Sequence, residues 1–172
     1  ATNDLKAGKI DAMVTCPLNR QTTVTGNYSF KGHTSFLRDN FGVDDALILM
    51  TSETMKVGVV SGHVPISEVK EHVTAENIIK KLKLLNKTLI EDFAIQKPKI
   101  AVLGLNPHAG DSGVIGKEEE EIIIPAIKQA KDKENILAIG PFSADSFFGS
   151  DSFAKFDAIL AMYHDQGIAP FK

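Results

Sequence analysis

The stretch KIAVLGLNPHAG, residues 99–110, carries the pattern that decides the fold. Residues 99–105 are almost continuously apolar and include β-branched side chains, which is typical of a strand covered on both faces of a sheet. Five other short apolar runs rich in β-branched residues occupy residues 10–15, 46–50, 55–61, 136–139 and 156–162. The sequence therefore predicts six strands.

Helical segments are predicted around these strands. The clearest runs from Thr74, which can cap the amino terminus, to about Glu91, and its apolar residues recur with a helical period: Ile78, Leu82, Leu85 and Leu89. Residues 1–6 also have a helical pattern. A second helix is predicted over residues 117–131, where the acidic side chains at 118–121 suit the positive end of a helix dipole. Pro125 either kinks this helix or marks its start.

Because strands alternate with helices, we predict an α/β fold with a largely parallel, layered sheet flanked by helices. No repeat or linker divides the sequence, so we expect a single α/β region over residues 1–172. The sequence begins at Ala1 rather than Met and stops at Lys172, just after a loop rich in functional residue types. We therefore expect it to be part of a longer protein.

Composition narrows the class of protein. Hydrophobic residues make up 43% and charged residues 24%, which is the balance of a globular domain. The net charge of -3 gives no positive field for nucleic acid or an anionic membrane. Cys16 is the single cysteine, which fits a reducing compartment, and no apolar run is long enough to span a bilayer. We expect a cytoplasmic protein that binds neither nucleic acid nor membrane.

Three of the five histidines follow predicted strands directly: His63, His108 and His164. In open α/β sheets, ligands bind beyond the carboxyl ends of the strands, so these three side chains can converge on one crevice. Three imidazoles can hold a divalent metal and leave positions open for a substrate oxygen. The alternative is that each histidine makes a separate hydrogen bond at the start of its loop, and strand placement alone does not decide between the two.

Other polar residues adjoin these histidines. Asp165 can accept a proton, contact a substrate or orient His164, and Lys172 can bind phosphate or transfer a proton. Asp145 is a loop carboxylate that can bind the substrate, and the alternative is that it caps a helix. His33 and Thr34 follow a glycine and suit contact with a polar substrate, although a plain turn explains them equally well.

Six motifs taken together carry a family resemblance: TCPLNR (15–20), GHT (32–34), GHVP (62–65), GLNPHAG (104–110), GP and AD within 140–145, and MYHDQG (162–167). In this order they make the sequence resemble the 4-hydroxythreonine-4-phosphate dehydrogenase family of pyridoxal phosphate biosynthesis. The likeness runs from about Leu5 to Lys172. The fold it implies is that of isocitrate and isopropylmalate dehydrogenases, which bind NAD without a GxGxxG loop.

The resemblance implies the oxidation by NAD of a small phosphorylated hydroxy acid, 4-phosphooxy-L-threonine, followed by loss of carbon dioxide to give 3-amino-2-oxopropyl phosphate. It also implies a homodimer whose metal site is shared between subunits. The family's metal ligands fall on His63, His108 and His164, and its substrate contacts on His33, Thr34 and Lys172. Three nitrogen ligands favour zinc or cobalt, and magnesium stays an alternative. No NAD contact can be assigned.

The sequence departs from the family pattern after GHT, where Ser35 stands in place of a common glutamate. The substrate is therefore less certain than the reaction. One alternative is a related dehydrogenase of a phosphorylated sugar acid, such as threonate or erythronate 4-phosphate. Two others are a phosphate acyltransferase on a similar fold and a fragment that binds ligands without turnover.

Overall fold

The computed structural model describes residues 1–19 and 32–172, which form two compact units, Ala1–Ala46 and Leu47–Lys172. The first contains helices α1 (Thr2–Lys6) and α2 (His33–Phe41), which contact each other. The last residue of the TCPLNR motif, Arg20, lies outside the described residues. Whether residues 1–172 act as a single α/β region stays a prediction.

The predicted strand at residues 10–15 is wrong, because this stretch has no regular secondary structure. Asp11 interrupts the apolar run, and the side chain of Val14 is 99% exposed. A strand needs hydrogen bonds to a neighbouring strand as well as apolar side chains. The apolar pattern alone therefore misassigned this segment.

The second unit contains a five-stranded sheet in the order β1-β2-β5-β3-β4. The strands are β1 (Leu49–Thr51), β2 (Lys56–Ser61), β3 (Lys99–Leu103), β4 (Leu137–Phe142) and β5 (Ala158–Tyr163). All neighbouring strands pair in parallel except β1, the outermost strand, which runs antiparallel to β2. The prediction of a largely parallel α/β sheet is confirmed.

The helices of this unit are α3 (Val69–His72), α4 (Ala75–Glu91), α5 (Ile124–Glu134), α6 (Ala144–Gly149) and α7 (His164–Phe171). Short turns of 3₁₀ helix occupy Ile66–Glu68, Pro107–Gly110 and Asp151–Lys155. None of the helices in the described part of the chain is long and apolar enough to cross a membrane.

Two apolar cores cover the two faces of the sheet. On one face α4 and α5 bury Leu82, Leu85 and Ala130, and on the other α6 and α7 bury Phe147 and Ile168. The cap predicted for α4 is confirmed, because the hydroxyl oxygen of Thr74 accepts a hydrogen bond from the backbone N–H of Asn77 at 3.2 Å.

The acidic segment before α5 is a turn of π-helix, Glu119–Ile123, and α5 begins after it. Ile123 and Ile124 keep right-handed helical angles, so the π-helical turn runs directly into α5, and Pro125 lies just after the change from one kind of helix to the other. The choice between a kink and a helix start at Pro125 therefore stays a prediction. The π-helical turn also places Glu119 inward, since this residue is buried.

Candidate functional site

The carboxyl ends of the central strands β2, β5 and β3 lie side by side and form what we call the carboxyl edge of the sheet. They lead directly into the loops that carry the three predicted metal ligands. Ser61 of β2 is in register with Tyr163 of β5, so the residues that follow these two strands are neighbours. The rings of His63 and His164 have their centroids 5.1 Å apart. The structure therefore brings these two predicted ligands together.

A buried hydroxyl group joins the ends of the two strands that carry this pair. Ser61 is 2% exposed, and its Oγ donates a hydrogen bond to the carbonyl of Met162 at 2.8 Å. A buried hydroxyl is costly without a partner, so this bond favours one fixed alignment of the strand ends. The separation between His63 and His164 depends on that alignment.

The carboxylate of Asp165 contacts the ring of His164, with 2.7 Å between Oδ1 and Nδ1. An ionised carboxylate only accepts hydrogen bonds, so Nδ1 carries a proton and, in the neutral ring, Nε2 has the lone pair. This is the arrangement in which a second residue fixes the tautomer of a metal-binding histidine. A cavity of about 350 Å³ opens here, and its lining includes His63, His164 and Asp165.

The third predicted ligand, His108, pairs with a different carboxylate. Its Nδ1 lies 3.9 Å from Oδ2 of Asp145, and both side chains are 65% exposed. The pKa of Asp145 is lowered, first by the hydrogen bond from the Ser143 hydroxyl and then by the backbone N–H of Ser146, with a smaller effect from His108. Asp145 therefore favours its ionised form beside an exposed imidazole.

The predicted trio thus occurs as two pairs within one chain. Among the described residues, no group of three or more histidine, cysteine, aspartate or glutamate side chains is arranged to hold a metal ion. One chain supplies two adjacent imidazoles and, separately, an exposed imidazole with a carboxylate next to it. The metal assignment of the three histidines stays a prediction.

The loop that carries His108 has an unusual backbone. Six consecutive residues, 108–113, have positive φ angles, and four of them are not glycine: His108, Ala109, Asp111 and Ser112. A non-glycine residue in this region costs about 1–3 kcal/mol and persists only where the surroundings enforce it. Such strain is concentrated at functional sites, so this loop is a second indication that the edge of the sheet has a function.

Two residues that organise this edge were not predicted from the sequence. The side-chain amide of Gln166 accepts from the backbone N–H of Met162 at 2.7 Å and donates to the carbonyl of Gly104 at 2.6 Å. It therefore ties the end of β5 to the end of β3. Gly167 lets α7 lie close to the sheet, because a Cβ there would be 2.7 Å from Cγ1 of Val57. Gly104 and Val57 are both far from these residues in sequence, so no local pattern could have found the two contacts.

The remaining predicted site residues belong to α2 and to the carboxyl end of α7. In the first unit, His33 begins α2, its Nε2 donates to the carbonyl of Cys16 at 2.9 Å, and Thr34 next to it is exposed. Lys172 is exposed at the end of α7, about 12 Å along that helix from His164 at 1.5 Å per residue. The roles predicted for these three side chains stay predictions.

Comparison with known proteins identifies the family. The family described as "Pyridoxal phosphate biosynthetic protein PdxA" matches residues 1–172. Two curated relatives, both named 4-hydroxythreonine-4-phosphate dehydrogenase, match 100% of the chain: that of Bacteroides thetaiotaomicron at 44% identity over 47% of its length, and that of Prosthecochloris aestuarii at 42% over 51%. The chain therefore spans about half the length of these relatives.

A solved structure agrees with the sequence match. The crystal structure of the dehydrogenase of the same name from Klebsiella pneumoniae superimposes with a TM-score of 0.89 at 29% identity, covering 99% of this chain and 51% of that one. The family match over residues 1–172 and the superposition agree, and the resemblance found in the sequence is confirmed. The chain belongs to the PdxA family of pyridoxal phosphate biosynthetic proteins.

Proposed function

We propose that the protein is an NAD-dependent dehydrogenase that oxidises 4-phosphooxy-L-threonine and releases carbon dioxide to form 3-amino-2-oxopropyl phosphate. The observation that carries this proposal is the His63–His164 pair at the carboxyl edge of the sheet, in a chain that matches the family over its whole length. The name shared by the relatives, 4-hydroxythreonine-4-phosphate dehydrogenase, supports the choice of substrate.

The reaction needs a hydride acceptor and a means of stabilising negative charge. NAD would supply the hydride acceptor, and a divalent cation held by His63, His108 and His164 would supply stabilisation of negative charge on the substrate. Either Asp165 or Lys172 accepts the hydroxyl proton. Loss of carbon dioxide from the resulting β-keto acid leaves an electron pair on the adjacent carbon, which takes up a proton to complete the product.

The chain's own residues suit a cation. His63 and His164 present two imidazoles side by side, and the contact of Asp165 with Nδ1 of His164 makes Nε2 the nitrogen available to a cation in the neutral ring. Nitrogen donors favour zinc or cobalt over magnesium, which prefers oxygen. The cavity of about 350 Å³ beside this pair is large enough for a small phosphorylated acid. We propose that His33, Thr34, Asp145 and Lys172 bind this substrate in the complete site.

We further propose that the site is shared between the two subunits of a homodimer, with His63 and His164 from one chain and His108 from the other. The separation of His108 from that pair, together with its 65% exposure, supports this division. Since Cys16 has no second cysteine in the chain to pair with, a reducing cytoplasmic location is part of the proposal.

A second candidate substrate is a phosphorylated sugar acid, threonate or erythronate 4-phosphate. Ser35 favours it, because the family pattern commonly has glutamate at this position and a serine removes a carboxylate next to the substrate-binding GHT motif. That carboxylate would suit the substrate amino group, which the sugar acids lack.

The test is NADH formation with both substrate classes, on protein stripped of metal by chelation and then supplied with Zn²⁺ or Co²⁺. We expect turnover only with cation, and a higher kcat/KM for the amino acid phosphate. His63→Ala, His108→Ala and His164→Ala are expected to abolish turnover. The matched control is His72→Ala, since this histidine is exposed and does not line the cavity beside His63 and His164. Full turnover and full metal occupancy in His108→Ala would refute the metal assignment.

A further inference from the structure

Glu119 is a charged residue buried beneath the strained loop. It is 2% exposed, and the only other buried polar side chain in the described residues is that of Ser61. Removing a carboxylate from water is costly unless hydrogen bonds replace its hydration. A buried carboxylate such as that of Glu119 therefore needs several hydrogen-bond donors around it.

Its hydrogen bonds all lead to the beginning of the loop that carries His108. Oε1 accepts from the backbone N–H groups of Leu105 and Asn106, both at 2.7 Å, and Oε2 accepts from Nδ2 of Asn106 at 2.9 Å. Every partner is a donor, which matches an ionised carboxylate because that group only accepts. The carboxylate thus fixes the chain two residues before His108.

The left-handed part of the loop then wraps around the same carboxylate. A Cβ on Gly110 would be 2.5 Å from Oε2 of Glu119, and a Cβ on Gly104 would be 3.1 Å from Oε1. Gly104 and Gly110 lie on either side of His108 in the sequence. The loop backbone therefore closes on Glu119 from both sides, and this contact is independent of the hydrogen bonds.

We propose that Glu119 is a positioning residue that enforces the left-handed path of residues 108–113 and so presents the His108 imidazole at the sheet edge. The importance of His108 rests on the proposed function, in which it is a cation ligand. The hydrogen bonds by which Glu119 fixes the loop can be tested separately, without any cation.

Glutamine is the informative replacement because of the bonds around Asn106. In Glu119→Gln the amide oxygen can still accept both backbone N–H groups, but its NH₂ then faces Nδ2 of Asn106. Asn106 cannot turn its amide over, since Nδ2 also donates to Oε2 of Glu118 at 2.8 Å. Two NH₂ groups, that of the new side chain and that of Asn106, therefore face each other with no acceptor between them. The matched control is Glu120→Gln, the same change at an exposed neighbour.

The experiment compares Glu119→Gln, Glu120→Gln and His108→Ala with the natural protein. Amide hydrogen exchange is followed at Leu105 and Asn106, with the helix α4 as an internal reference. Co²⁺ binding is followed by titration and by the visible absorption of the bound ion. In Glu119→Gln we expect faster exchange at the two amides relative to α4, and Co²⁺ affinity lower by about 10–100-fold with an altered spectrum. We expect Glu120→Gln to behave as the natural protein.

Unchanged exchange at Leu105 and Asn106 in Glu119→Gln would overturn the proposal. So would a lower melting temperature combined with unchanged Co²⁺ affinity and spectrum, because that is the result of a purely structural role. Should Glu119→Gln fail to fold, Asn106→Ala removes the Nδ2 bonds to Glu119 and Glu118 but keeps both backbone bonds to Glu119, and the same effects are expected at a few-fold scale. If His108→Ala binds Co²⁺ as tightly as the natural protein, the proposed function fails, while amide exchange still decides the role of Glu119.

Discussion

Replacing Gly167 with alanine should separate α7 from the sheet and so disturb His164, which begins that helix. A Cβ at this position would lie 2.7 Å from Cγ1 of Val57 and 2.8 Å from Cβ of Ala161, and both of these residues are fully buried. Carbon atoms prefer about 3.5–4.0 Å, so the helix must shift by close to 1 Å. Extra volume in a packed core of this kind costs about 1–3 kcal/mol.

Gly149→Ala is the matched control, because a Cβ on Gly149 at the end of α6 meets nothing within 4 Å. Both changes place alanine in a helix, where it is favoured over glycine by up to about 1 kcal/mol, so their difference largely isolates the clash. At roughly 2–4 °C per kcal/mol, Gly167→Ala should melt about 2–12 °C below Gly149→Ala in a thermal unfolding experiment. Its Co²⁺ affinity should also fall. Equal melting temperatures and equal affinities would refute the reasoning.

Three further predictions concern the same edge of the sheet. Ser61→Ala leaves a buried β5 carbonyl without its donor and should lower the free energy of unfolding by about 1–3 kcal/mol in a urea titration. The pKa of Glu118 is lowered to about 2, first by the hydrogen bond from Lys70. The contribution of ionised Glu118 to the free energy of unfolding is therefore complete above pH 4.5 and is lost as the pH falls towards 2. Lys70→Gln should reduce this acid-dependent loss of stability. Asp165→Asn keeps an acceptor for His164 without its charge, so Co²⁺ affinity should fall by about 10-fold, and it should fall further in Asp165→Ala. Equal Co²⁺ affinity in the unchanged protein and both variants would contradict this role of Asp165.

Much of the fold follows from local patterns in the sequence. The apolar run at residues 99–105 predicted a strand buried on both faces, and β3 has that burial. The cap at Thr74 and the four-residue and three-residue spacing of its helix predicted α4. Both succeed because the period of a pattern depends on neighbouring residues only. The segment 10–15 failed, since only a partner strand elsewhere in the chain could have made it a strand.

The sequence also predicted part of the candidate site. Strand-end placement located His63 and His164 at one edge, because parallel strands bring their carboxyl ends together. Sequence position could not show that His108 lies apart from them. Nor could it find Gln166, which bonds to a carbonyl 62 residues away, because such contacts depend on the assembled sheet.

We propose that two subunits share each metal site, and mixing two inactive variants tests this sharing most directly. In a hybrid dimer of His63→Ala and His108→Ala, one site loses ligands from both chains and the other keeps all three. Half of the dimers in an equal, re-equilibrated mixture are hybrids with one intact site each, so NADH formation should recover to about a quarter of the natural rate. A mixture that stays as inactive as its two parents would contradict the account.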